Sequence, residues 1–143
     1  MKNLFVSTLV VFLVIFSSCS SDDDTSDPVV VSDPIIGTWK ITKSTINGID
    51  QSLNACALNS TWAFLEDGTL VMTIFESNGV CVADRVNTRW KKLSDSMYTT
   101  NAITDGIMED DVFLNYSVSF MDTKAVFTGN NFDIMSVDEY VKQ

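Results

Sequence analysis

Histidine is absent from the 143-residue chain, which removes the commonest general base and the commonest transition-metal ligand together. Proline is almost absent too. Only Pro28 and Pro34 occur, and none follows Ile35, so the larger part of the chain carries no residue that would interrupt a sheet ladder. Positive charge is scarce, with 9 basic against 19 acidic residues, a net charge of -10 and a pI near 4.1. Such a chain offers no basic footprint to a phosphate backbone, and nucleic acid is excluded as a partner. Nor does it contain a nucleophile beside a base, a metal triad or a glycine-rich phosphate loop. A non-enzymatic protein without a cofactor is expected.

What is present begins with Lys2, an almost unbroken Leu, Val, Phe and Ile run from Leu4 to Phe16, and the small residues Ser17-Ser18. Those are the three regions of a signal peptide over residues 1–18. The run falls short of the ~20 residues a membrane-spanning helix needs. Phe16-Ser17-Ser18-Cys19 resembles the lipobox of bacterial lipoproteins, in which the cysteine is acylated and becomes the first mature residue. The resemblance implies lipidation at Cys19, palmitate among the acyl chains and a membrane contact made through that anchor. An ordinary secretory signal with a cysteine at its cleavage site is the plainer alternative. Residues 19–34 are rich in Ser and Asp and read as a solvated tether. Ser20-Ser21-Asp22-Asp23-Asp24 also resembles the export signal of some Gram-negative lipoproteins, which places the protein at the outer membrane, on its periplasmic or cell-surface face.

From residue 35 to 143 the pattern is β. Val, Ile, Thr, Phe, Tyr and Trp recur at every second position, and Asn47-Gly48, Asp67-Gly68, Asn78-Gly79, Asp105-Gly106 and Gly129-Asn130 mark turns. Strands are expected near 36–46, 60–66, 69–76, 80–84, 86–93, 97–103, 111–121 and 124–130, with a loop or single helical turn over 50–58 and a strand or helix near 136–141. Short links without crossover helices predict an all-β, antiparallel, up-and-down barrel of about eight strands, closed because closure removes the sheet edges.

Alternation points Trp39, Ile41, Trp62, Phe64, Leu70 and Met72 inward, followed by Ile74, Trp90, Val112, Leu114, Tyr116, Val118 and Phe120. Lys40, Thr42, Thr73, Arg89, Lys91, Asn115, Ser117 and Ser119 form the outer wall. The candidate lining of a ligand cavity is therefore Trp39, Ile41, Trp62, Phe64, Leu70 and Met72 with Trp90 and Tyr116, although aromatics at this period also serve as plain core.

Once Cys19 is acylated, Cys56 and Cys81 are left, and outside the cytosol they are expected to join; two free thiols are the alternative. The acidic group Asp105, Glu109, Asp110 and Asp111 lacks the regular spacing of a calcium loop and reads as a solvated turn, as does Asp22 to Asp24.

Ile36-Gly37-Thr38-Trp39-Lys40-Ile41, the two cysteines placed around Trp62-Ala63-Phe64 and Asp67-Gly68-Thr69, and Val126-Phe127-Thr128-Gly129 together resemble the lipocalin-like domain of small bacterial lipoproteins. The likeness spans about residues 35 to 130 and implies a lipid-anchored up-and-down barrel. Lipocalins proper add a Thr-Asp-Tyr motif and a late arginine stacked on the first tryptophan. Here that motif is missing and the only arginines are Arg85 and Arg89. The leading functional expectation is a cell-envelope binding module for a small apolar molecule. The runner-up is a structural or interaction subunit with a filled barrel, contacting a protein or glycan, or inhibiting a hydrolase. A cavity of several hundred cubic ångströms favours the first, and an exposed apolar patch the second.

Overall fold

The alternation from Gly37 onward is realised as an antiparallel meander. A computed structural model describes residues 32–77, 80–104 and 107–143; Cys19, the signal-peptide and most tether residues, and the Asn78-Gly79 and Asp105-Gly106 turns lie outside these. The strands are β1 (Gly37–Ile46), β2 (Ile49–Asp50), β3 (Thr61–Phe64), β4 (Thr69–Ser77), β5 (Cys81–Lys92), β6 (Met97–Thr104), β7 (Ile107–Met121), β8 (Lys124–Asn131) and β9 (Ile134–Lys142). Their order in the sheet is β2-β1-β3-β4-β5-β6-β7-β8-β9, and β1 also pairs with β9. That last pairing shuts the sheet into an eight-stranded barrel, with two-residue β2 as an extra ribbon on the upper part of β1. Residues 50–58 give a loop ending in a single 3-10 turn at Ala57–Asn59.

Two expectations need correction, and one left open is decided. The segments read as separate strands at 80–84 and 86–93 are one, because Asp84 and Arg85 continue the ladder opposite Ile74 and Thr73; no Gly or Pro interrupts them. The ending left open between strand and helix is β9, which finds a partner on both sides, Tyr140 lying opposite Ile41 and Ala125. Gly129-Asn130, read as a turn, lies inside β8. The chain reverses instead at Phe132 and Asp133, whose φ angles are 54° and 61°. Glycine is needed at 129 for space: a Cβ there would come within 3.0 Å of the Tyr116 ring across the ladder. The Asn47-Gly48 turn is as read, with φ of 50° and 79°.

Aromatic side chains fill the middle of the barrel. Trp62 has Tyr140, Phe127 and Tyr116 around it at 5.3, 5.7 and 5.9 Å between ring centres. Phe127 in turn meets Phe64 and Tyr140. Tilted, edge-on and stacked pairs of this kind add ~0.5–1.5 kcal/mol each beyond the area they bury.

One end of the barrel is stoppered by its own N-terminal approach. Ile35 is fully buried and its carbonyl accepts a 2.6 Å hydrogen bond from Trp39 Nε1. Asp33 Oδ1 accepts from Ile35 N and from the Tyr98 hydroxyl, at 3.1 and 2.7 Å, while Oδ2 pairs with Lys92 at 3.0 Å. The segment assigned to the tether thus reaches into the domain at Asp33. Burial alone would raise this carboxyl, but the bonds from Tyr98, Ile35 and Lys92 outweigh it and hold it below the usual carboxylate value. Lys142 completes the stopper, donating to the Pro34 carbonyl at 3.3 Å.

Candidate ligand cavity at the open end

The opposite end lacks such a stopper. There β6, β7 and the β8–β9 hairpin border a cavity of about 470 Å³. Its walls are largely apolar, with Ala102, Val112, Leu114, Tyr116 and Ile134 contributing; Glu109 and Ser136 add polar atoms, and Phe132 stands at its lip. The volume falls in the range that accommodates drug-sized molecules. A second hollow of similar volume, bordered by Asn54, Ala55, Cys56, Asn59 and Cys81, is flatter and has hardly any bulky apolar side chain. The first is the better candidate because its lining comes from inward positions of the barrel.

Why these residues meet follows from register. Tyr116 lies opposite Tyr98 on β6 and Gly129 on β8, and the missing side chain at Gly129 gives its ring room. Ser136 lies opposite Gly129 and Ile46, so the wall opens at this level. Two residues further along β9, Asp138 faces the same way, opposite Ser44 and Phe127. Burial raises the Asp138 carboxyl, and a hydrogen bond from Ser44 only partly offsets it. Burial, with the neighbouring Asp138 charge, pushes the Tyr116 hydroxyl up to about 12 and that of Tyr140 well above its ordinary value.

Of the candidate lining, Tyr116 borders this cavity. Trp39, Phe64 and Leu70 are fully buried core, and Ile41, Trp62, Met72 and Trp90 pack against that core. The inward positions Val112 and Leu114 do line it. Sequence reasoning missed Ala102, Ile134 and Ser136 in the cavity wall, and Asp138, which lies deeper on the same face of β9. The last three share the parity of Tyr140, so a firm strand reading of the C-terminus would have exposed them.

Phe132 is 73% exposed and held at φ 54°, a backbone region that bulky side chains rarely occupy. Strain of this kind collects where a structure is used. Around the same end, Ile49, Val80, Val82 and Ile107 are also exposed.

Cys56 and Cys81 form a disulfide with a Cα–Cα distance of 5.6 Å, which ties the loop after β2 to the start of β5 at this open end. Among the described residues no three Asp, Glu or Cys side chains gather as a metal-holding group; Asp105 of the acidic turn lies outside them.

No curated protein matches the chain. Among solved structures, it is similar to a mutant of the fluorescent protein UnaG, at 14% identity over 76% of this chain and 95% of that one, with a TM-score of 0.41. The family model for the lipocalin-like domain matches residues 35–137. With that match running from the stopper through the cavity wall, the chain belongs to the lipocalin-like domain family.

Proposed function

We propose that this protein is a non-catalytic carrier of the cell envelope, taking a small apolar molecule into the open end of its barrel. The observation that carries the reading is the 470 Å³ cavity walled by Ala102, Val112, Leu114 and Ile134, since a barrel built only to present its outer surface has no need of an apolar recess. The anchor rests on the lipobox-like sequence that ends at Cys19. More than one acyl chain there would hold the protein at a membrane, each buried methylene contributing ~0.8 kcal/mol.

A neutral environment-sensitive dye titrated into the full chain carrying Cys19→Ser tests carriage. Saturable one-to-one binding that is lost in Ala102→Phe, where a ring would occupy the cavity, supports it. Absence of saturable binding overturns it. Radiolabelled palmitate reaching the wild-type chain but not Cys19→Ser tests the anchor independently.

A second reading draws on the exposed apolar side chains Ile49, Val80, Val82 and Ile107 around the same end. They suit a protein partner covering the mouth. Cross-linking in cells from Val82 would capture such a partner if the barrel serves as an interaction subunit.

A further inference from the structure

Among the described residues, the open half of the lumen holds a carboxyl and several hydroxyls but no cation. Every lysine and arginine among the described residues is accounted for elsewhere. Lys40 bonds to Asn59 and Lys43 pairs with Asp50 on the outer wall. Arg85, Arg89, Lys91 and Lys124 are exposed on outward positions. Two lysines do sit at inward parity, Lys92 and Lys142, yet both lie at the stoppered end, against Asp33 and Trp39. The open half has the opposite character. Glu109 borders the cavity, Asp133 flanks its lip, and Asp138 faces inward one step below Ser136 with Tyr116 and Tyr140 for neighbours.

From this arrangement we infer that the cavity selects apolar molecules bearing an amine or a neutral hydroxyl head group and rejects fatty-acid-like carboxylates, with Asp138 as the residue that sets the preference. The inference rests on the carrier reading and deepens it. A carboxylate entering here would give up its hydration with no cation to replace it, and it would lie near a second carboxyl. An ammonium reverses both effects. It supplies Asp138 with the counter-charge its surroundings lack, and a nearby cation favours the ionised form of a carboxyl. A hydroxyl needs only a polar partner, and Ser136 or Tyr116 in the cavity wall can be that partner. The net charge of -10 acts in the same direction during approach, attracting cationic ligands and repelling anionic ones.

Three ligands with one tail isolate the head group: decylamine, decanol and decanoate, each displacing a neutral fluorescent dye from the full chain carrying Cys19→Ser, at pH 7 and low salt. The expected order is decylamine tightest, then decanol, with decanoate at least about tenfold weaker than decylamine. In Asp138→Asn, decylamine should fall to the level of decanol while decanol is unchanged, and circular dichroism confirms that the variant is folded. Decanoate binding as tightly as decanol, or an amine-to-alcohol ratio untouched by Asp138→Asn, overturns the inference and leaves carriage standing. Failure of the dye and all three ligands to bind overturns carriage itself.

Discussion

Lys142 Nζ stands 5.2 Å from the centre of the Trp39 ring, so the last strand lays a cation on the first tryptophan of the domain. The resemblance to lipocalins implies a late arginine in that role, and the sequence has none to offer. A lysine supplies the charge instead. Its stem runs beneath Gly37, where a Cβ would meet Lys142 Cε at 2.7 Å and where φ is +130°. The glycine, the lysine and the tryptophan form one joint between the first and last strands.

Gly37→Ala is therefore expected to destabilise the barrel by about 1–3 kcal/mol, since it combines a left-handed backbone with a close approach. Lys142→Met, which retains the stem and discards the charge, should lose about 0.5–1 kcal/mol. Urea unfolding followed by tryptophan fluorescence measures both.

Two partly buried aspartates should respond to acid with opposite signs. Asp33 is held below its ordinary value, so its contribution is complete above about pH 4 and is lost as the pH falls through the folded-state value. Asp33→Asn should lower the melting temperature at pH 7, with the gap to wild type closing in acid. Asp138 is raised by burial, so its ionisation destabilises the fold as the pH rises through that higher value. Asp138→Asn should melt higher than wild type at pH 7, and the advantage should fade as the pH drops towards about 4. Melting curves across pH 3 to 7 check the pair.

Breaking the disulfide opens a 25-residue loop, for which chain entropy predicts a loss of about 3.5 kcal/mol. Reduced protein should unfold at correspondingly lower urea. Hydrogen exchange should quicken first in the loop after β2 and the start of β5, because the stopper at the other end does not depend on this link.

Phe132→Gly should release the left-handed strain at the β8–β9 turn and stabilise the domain by about 1 kcal/mol. The same change strips the lip of the cavity and should weaken binding of the neutral dye. A variant that melts higher yet binds less tightly is the expected outcome, and tighter or equal binding would remove Phe132 from the site.

The strands were legible because a half-buried ladder needs apolar side chains at every second position, and Trp39, Trp62-Ala63-Phe64 and Tyr116 to Phe120 keep that period clearly. The C-terminus was harder to read. Its inward set is Ile134, Ser136, Asp138 and Tyr140, and two polar members blur the alternation. Those two residues bring polar groups to the inner face of β9, so the periodic signal was weakest there. Gly129 misled for a related reason: glycine beside asparagine signals a turn, whereas here its missing Cβ gives the Tyr116 ring its place.

By itself the sequence determined the antiparallel meander, through period-two alternation, the Asn-Gly and Asp-Gly turns and the lack of proline after Ile35. Only the tertiary structure decided which inward side chains became core and which became cavity wall. Alternation reports the face on which a side chain lies, but its height along the barrel axis depends on strand register and on closure of β1 against β9. That height separates Trp39, sealed beneath Lys142, from Tyr116 at the open end.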